Sequence, residues 1–340
     1  MTTRELTEQE RLTHLAQPRP TVDVRPCAAV SSVLRVLTYH RVDTLEASPD
    51  LHSSTLSATG EGFDAQMRML AKRFRVLSLT ELLDMLHAGR PLPARAVLIT
   101  FDDACRCFAE QAWPILRRYQ LPATLFVPTS FPGESHEFWW DTIHRLVRAA
   151  STSGGKIDSP WGSLSINGEA SQRTAFRQLA DWYAATPNEK AIAWLSEACE
   201  QLRLPPAPSP VLTWDELRGL SDHRLSMAAH SRCHQPLTAM TAEQLTEEID
   251  GSWEDLRRQL GTAPPVFAYP GGYVDDRVRE HVRGSGLELA FSTRRGANAL
   301  HQCDPLLLRR INVGRRSTPA RVWAQLILPA SLLNYIGDRE

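Results

Sequence analysis

Ala96-Val97-Leu98-Ile99-Thr100-Phe101-Asp102-Asp103 sets an apolar run of strand length directly against two consecutive carboxylates. A run of this length, rich in β-branched and aromatic residues, reads as a buried strand. What flanks it decides the fold. Upstream, Val33 to Tyr39 is a second buried strand, and Phe63, Met67, Leu70 and Phe74 recur at helical spacing. Phe74 to Leu79 reads as a short strand, with Thr80 as the cap of the helix that follows. Downstream, Phe108, Ala112, Ile115 and Tyr119 share one helix face, and Ala123 to Val127 is again a strand.

The alternation pauses over residues 132–212 and then resumes. The pause contains Trp139, Trp140, Trp161, Trp182 and Trp194, a Gly/Ser patch at Ser151 to Gly155, and a proline-rich stretch at Pro205 to Pro210. It predicts a mostly helical insertion. Beyond it come a strand at Leu225 to Ala229 and a helix carrying Leu245, Ile249, Leu256 and Leu260. Strands near Val266 to Tyr269, Leu287 to Ser292 and Leu306 to Val313 complete the set. Strands alternating with helices imply a mainly parallel sheet. Seven or eight of them predict an α/β fold closed into a distorted (β/α) barrel, spanning residues 31–319 with the insertion inside it. Residues 1–30 read as an extension, a short polar helix and a proline-containing linker. Residues 320–340 read as one C-terminal amphipathic helix, Ala320 to Ile336, packed on the barrel, with contact to a membrane surface as the minor reading.

Composition narrows the function classes. The chain has 340 residues, 42% hydrophobic and 23% charged, and a formal net charge of −1. That is ordinary for a globular protein, and nothing in it suggests broad nucleic-acid binding, which would need a basic face. The six cysteines contain no CxxC pair and no framework spacing. Met1 to Gln17 is charged throughout, and no apolar run is long enough to span a bilayer, so the expected location is the cytoplasm.

Polar clusters stand where strands end, which is where barrel enzymes place their chemistry. Asp102 and Asp103 close one strand; adjacent carboxylates are costly unless their charge is compensated, and a metal ion is the usual compensation. The same pair also reads as N-caps for the next helix. His230-Ser231-Arg232-Cys233-His234 closes another strand, and histidines four apart can reach one ion. Together the clusters supply two histidines and an aspartate, a set that leaves positions open for water and substrate.

Thr100-Phe101-Asp102-Asp103 resembles the first motif of the polysaccharide deacetylase family (NodB homology, carbohydrate esterase family four). His230-Ser231-Arg232-Cys233-His234-Gln235-Pro236-Leu237 resembles its second, and Phe267-Ala268-Tyr269-Pro270-Gly271-Gly272 its third in the exopolysaccharide-deacetylase branch. The likeness covers roughly residues 33–130 and 211–315. It implies a divalent ion, zinc with cobalt, nickel or iron as substitutes, held by Asp103, His230 and His234. It implies Asp102 as general base and the Gly271 N–H as oxyanion donor.

The family's late histidine acid has no counterpart after Gly272. Val36-Leu37-Thr38-Tyr39-His40 fits that pattern instead, which resembles the circularly permuted branch and implies His40 as general acid. Two departures stand out. Ala268 occupies the place of an arginine that orients the base, a task Arg310 could perform from another strand, and Ala104 occupies a place where glycine is common. Cys233, between the histidines, and Cys105 and Cys107, after the aspartates, read as ordinary packing residues. Trp139-Trp140-Asp141 resembles a tract of related deacetylases and suits either sugar stacking or core packing.

The expected reaction is removal of an N-acetyl group from an N-acetylated sugar or glycan intermediate in the cytoplasm. Ester deacetylation or deformylation on the same scaffold, and an inactive glycan-binding domain, are the rivals.

Overall fold

A computed structural model describes residues 33–338 other than Ser135 and Ser221. The extension expected over residues 1–30 lies outside the described residues. Seven strands of the nine-stranded central sheet form its barrel: β1 Val33–Tyr39, β2 Ala96–Phe101, β3 Ala123–Val127, β4 Leu225–Ala229, β5 Val266–Ala268, β6 Leu289–Arg295 and β7 Leu308–Asn312. Their order is β1-β7-β6-β5-β4-β3-β2, and β2 returns to β1 with Arg35–Tyr39 beside Val97–Phe101. Every one of these pairings is parallel. These seven strands therefore make a closed parallel barrel, as the alternation predicts.

Strand periodicity decides what each residue faces. Leu34, Val36, Leu98, Phe126, Ala228, Val266, Phe291 and Leu308 pack with one another inside the barrel. Leu37, Tyr39, Val97, Ile99, Phe101, Leu125 and Ile311, one position out of phase, pack outward against the helices. The helix Gly60–Arg73 buries Phe63, Met67 and Leu70 on that outer layer, capped by Thr59. The helix Leu79–His87 instead sends Leu82, Leu83 and Leu86 to the inner cluster. Its cap is Ser78, which accepts the Glu81 N–H, and not Thr80: the strand before it ends at Leu77, two residues earlier than the apolar run suggested.

The insertion has its own small core, in which Ile143, Leu146, Leu179, Tyr183 and Leu195 join the helices Trp139–Thr152, Glu169–Ala185 and Asn188–Gln201. A hairpin, Lys156–Ser159 with Gly162–Ser165, was not foreseen. Its signal is Pro160-Trp161-Gly162 between short alternating runs, too brief to register as strands.

The C-terminal segment departs from expectation. It is two helices, Pro319–Ile327 and Ala330–Gly337, in place of one. Pro329 has no N–H to continue the first, and the residue before a proline is pushed to extended backbone, as Leu328 is at ψ 144°. Val322, Leu326 and Leu333 are buried, while Trp323, Ile327, Leu332 and Tyr335 are exposed. Among the described residues, no helix is long and apolar enough to cross a membrane.

Candidate active site

The inward phase of the strands, carried past their C-terminal ends, selects a small group of residues. Leu34 and Val36 lead to His40, Leu98 to Asp102, Ala228 to His230 and Leu308 to Arg310. Asp103 is out of phase with Asp102 and would point outward if the strand continued. It does not continue: Asp103 and Ala104 have φ of 73° and 48°. This left-handed turn brings both carboxylates to the barrel mouth, and neither serves as a helix cap, since helix begins at Arg106, whose N–H donates to the Pro210 carbonyl. Ser231 and His234 are also left-handed, at 60° and 51°. Such conformations cost free energy for residues with a Cβ and gather where a site imposes them. Ala104, at a place where glycine is common, differs from glycine mainly in this backbone cost.

The atoms that meet are His230 Nε2, His234 Nε2 and Asp103 Oδ1. Their separations are 3.1 Å between the histidines, 3.5 Å from His230 to Asp103 and 3.2 Å from His234 to Asp103. All three residues are buried, and Asp103 Oδ1 has no hydrogen-bond donor among the described residues. Ligand atoms about 2.0–2.2 Å from one ion stand roughly 3.0–3.5 Å from one another, so the triangle fits a divalent metal. His230 is oriented for it. Its Nδ1 lies 2.8 Å from the Ala268 carbonyl, which only accepts, so Nδ1 carries the proton and Nε2 presents a lone pair. Burial raises the Asp103 carboxyl and lowers the His234 imidazole. For Asp103 the two facing histidines more than offset burial and hold it well below the usual carboxylate range.

Asp102 stands beside this triangle and is held differently. The Arg310 guanidinium donates to both its oxygens at 2.8 Å, and Arg310 Nε donates to the Ser292 carbonyl at 2.8 Å. Arg310 has no exposed surface. Burial, the largest single influence, works to raise the Asp102 carboxyl, and the charges of Arg310, His230 and His40 with the Arg310 hydrogen bonds together outweigh it, leaving the group ionised below its ordinary range. His40 Nε2 is 4.0 Å from Asp102 Oδ2, with its side chain 30% exposed, so it reaches both the carboxylate and the solvent side of the mouth. The His40 N–H is anchored on Ser57 Oγ at 2.9 Å. Gly271 lies in the tight turn Pro270–Gly272 that follows β5, with φ 58°, at the same end of the barrel. A side chain there would strike the Tyr273 ring.

Several residues that shape the site escaped sequence reasoning. Glu248 accepts the N–H groups of Arg232 and Cys233 at 3.0 and 2.8 Å, pinning the loop between the histidines. Asp255 clamps Arg232 at 2.8 and 3.1 Å and accepts from Thr129. The Arg232 guanidinium lies so close to Gly251 that an added Cβ would sit 2.5 Å from its central carbon. Only a Glu and an Asp seven residues apart on one helix, with a glycine between them, hinted at this. Cys233 is not among the metal-facing atoms. Trp139 stacks on Tyr183 within the insertion at 4.7 Å, whereas Trp140 packs edge-on against His234 at 4.7 Å. Asp141 is buried, takes the His52 N–H at 2.5 Å and is pushed up to about 7 by burial.

Comparison with known proteins adds an independent line. The family model described as polysaccharide deacetylase matches residues 89–157 and 178–290. A poly-β-1,6-N-acetyl-D-glucosamine N-deacetylase of Staphylococcus epidermidis is 31% identical over 109 residues, 29% of this chain and 37% of the relative. Its namesake in Staphylococcus aureus is 34% identical over 90 residues, 26% of this chain and 31% of the relative. The matched stretch thus spans about a third of these curated relatives. Among solved structures, the Streptococcus pyogenes deacetylase PplD in complex with acetate aligns over 88% of this chain and all of its own, at 18% identity and TM-score 0.58. IcaB from Ammonifex degensii aligns over 87% of this chain and 98% of its own, at 19% identity and TM-score 0.56. At those identities the structures speak for the fold.

Proposed function

The chain belongs to the polysaccharide deacetylase family, and from that premise we propose that it hydrolyses the N-acetyl amide of a sugar or glycan intermediate, releasing acetate and a free amine. The observation that carries this reading is the buried triangle of Asp103, His230 and His234 with an ionised Asp102 beside it. A divalent ion held by those three residues, zinc in our reading, supplies Lewis acidity toward the amide carbonyl and makes water a ready nucleophile.

The remaining tasks fall to the chain. Asp102 takes the proton of the attacking water as the new C–O bond forms. Arg310 keeps that carboxylate ionised and aimed, from the side opposite to a substrate entering the mouth. The Gly271 N–H receives the carbonyl oxygen as it gains charge. His40, poised between Asp102 and solvent, gives a proton to the departing nitrogen when the C–N bond breaks. Without that proton the amine is a poor leaving group and the adduct reverts. Trp140, packed against His234, offers an aromatic wall to the site.

Metal content of the purified wild type and of His230→Ala, paired with acetate release from N-acetylglucosamine oligomers, tests the reading. About one ion per chain in the wild type and loss in the variant establish the site, and acetate release establishes the reaction. Metal without acetate redirects the search to other acyl groups. No metal in either protein after reconstitution sinks the catalytic reading.

A further inference from the structure

A groove of about 710 Å³ opens beside the barrel mouth, and its walls carry Arg294, Arg295, Arg315, Arg316 and Arg321. No Asp or Glu lines it. In a chain of net charge −1 this concentration is not a by-product of a generally basic composition. Elsewhere Arg310 is paired with Asp102, Arg232 with Asp255 and Arg309 with Asp338. Among the described residues, no carboxylate lies within ion-pair distance of Arg315, Arg316 or Arg321, while Arg294 feels the charge of Asp338. Guanidiniums gathered around one space favour the entry of an anion.

The groove is tied to the candidate active site by chain continuity. Arg294 and Arg295 end β6, the strand whose Ser292 carbonyl holds Arg310. Asn312, in the groove wall, stands two residues beyond Arg310, about 7 Å along an extended strand. Asn312 Nδ2 also donates to the Thr293 carbonyl at 3.3 Å, joining the two strand ends. The opposite wall includes Ser53, Ser54 and Leu56, next to Ser57, which anchors His40. A sugar presenting its acetamide to Asp102 and His40 therefore has this groove within reach of its own substituents.

A neutral N-acetylglucosamine polymer offers these arginines hydroxyl and carbonyl acceptors but no negative charge, and its deacetylated product is a cation. Phosphoryl oxygens match the guanidinium fork in charge and geometry. We propose that the groove binds a phosphate or diphosphate ester carried by the substrate, so that the sugar deacetylated here is a glycosyl phosphate in place of a neutral polymer. This rests on the amide-hydrolysis reading above and names its substrate class. A nucleotide, a prenol or a phosphodiester-linked glycan could carry the group, and all present the same oxygens.

Acetate release by the full chain, measured on an N-acetylglucosamine trimer, N-acetylglucosamine 1-phosphate, UDP-N-acetylglucosamine and a detergent-solubilised prenyl diphosphate of N-acetylglucosamine, tests this. At least one phosphorylated compound should exceed the trimer in kcat/KM by tenfold or more, and the best one identifies the carrier. Arg315→Ala/Arg316→Ala should raise KM for that compound at least tenfold, with the loss falling on KM and not on kcat, and added salt should raise the wild-type KM. These arginines are exposed, and a thermal melt checks that the variant folds. A trimer as good as every phosphorylated compound, or an unmoved KM in the variant, overturns the proposal. If no compound releases acetate, calorimetric titration with N-acetylglucosamine 1-phosphate separates the two claims. Binding that the double variant loses keeps the groove and sinks only the amide reading; absence of binding overturns the groove.

Discussion

Arg310 and Asp102 act as one unit, because neither charge is tolerable alone at that depth. Arg310→Met leaves Asp102 buried without its counter-charge, which costs about 3–5 kcal/mol in systems of this kind. Urea unfolding should show a loss of that order, and acetate release should vanish. Adding Asp102→Asn to that variant should recover much of the stability and none of the activity; equal losses in the single and double variants would show that the pair is not coupled. Asp141 makes the opposite kind of prediction. Its carboxyl, near 3.9 in an unfolded chain, is pushed up to about 7 in the fold. The native state thus holds a proton there that the unfolded state has released, and stability is greatest below the unfolded value and falls as pH rises toward 7. Asp141→Asn keeps an acceptor for the His52 N–H and removes the titration. Melting curves should show the variant close to wild type at pH 4 and more stable than wild type at pH 8. Parallel pH profiles for the two proteins would contradict this assignment.

Secondary-structure elements carry the precision of the site. The histidine loop follows β4, but its shape is set by the helical stretch of residues 242–260, whose Glu248 and Asp255 bond to Arg232 and Cys233. Glu248→Gln preserves volume and weakens two charge-assisted hydrogen bonds. Support of this sort is worth about 10–100-fold in metal affinity, so competition with a chelating dye should show zinc binding at least tenfold weaker, with the histidines intact. An unchanged affinity would mean that the loop holds its shape without the helix. The four left-handed residues at Asp103, Ala104, Ser231 and His234 belong to the same scale, since strand and helix ends on either side leave these two turns no other route.

At the scale of the whole molecule, the site is a seam. Asp103 comes from the end of β2 and the two histidines from the end of β4, strands separated in the barrel by β3. An ion shared by them ties distant parts of the chain together only in the folded state. Binding to the native state alone at about one hundred times Kd adds roughly 2.7 kcal/mol. Removing the metal with a chelator should therefore lower Tm by several degrees in the wild type and leave His230→Ala unmoved. Equal shifts in both would place the stabilising ion elsewhere.

Much of this was legible beforehand. Strand-length apolar runs with helical runs between them predicted a closed parallel barrel, because only helices can return the chain between neighbouring parallel strands. The paired aspartates and the spaced histidines announced themselves by type and position. His40, Asp102, His230 and Arg310 all lie on the inward phase of their strands, a period of two that residue numbers already contain. Tertiary structure alone decided the rest. It turned Asp103 back toward Asp102, placed the Arg310 guanidinium on both oxygens of a carboxylate 208 residues away, and set Glu248 beneath the histidine loop. It also gathered five arginines from one strand end, a loop and a helix into one groove. These facts depend on which strand neighbours which and how the chain turns at each strand end, and distances through space between remote residues leave no periodic mark in a sequence.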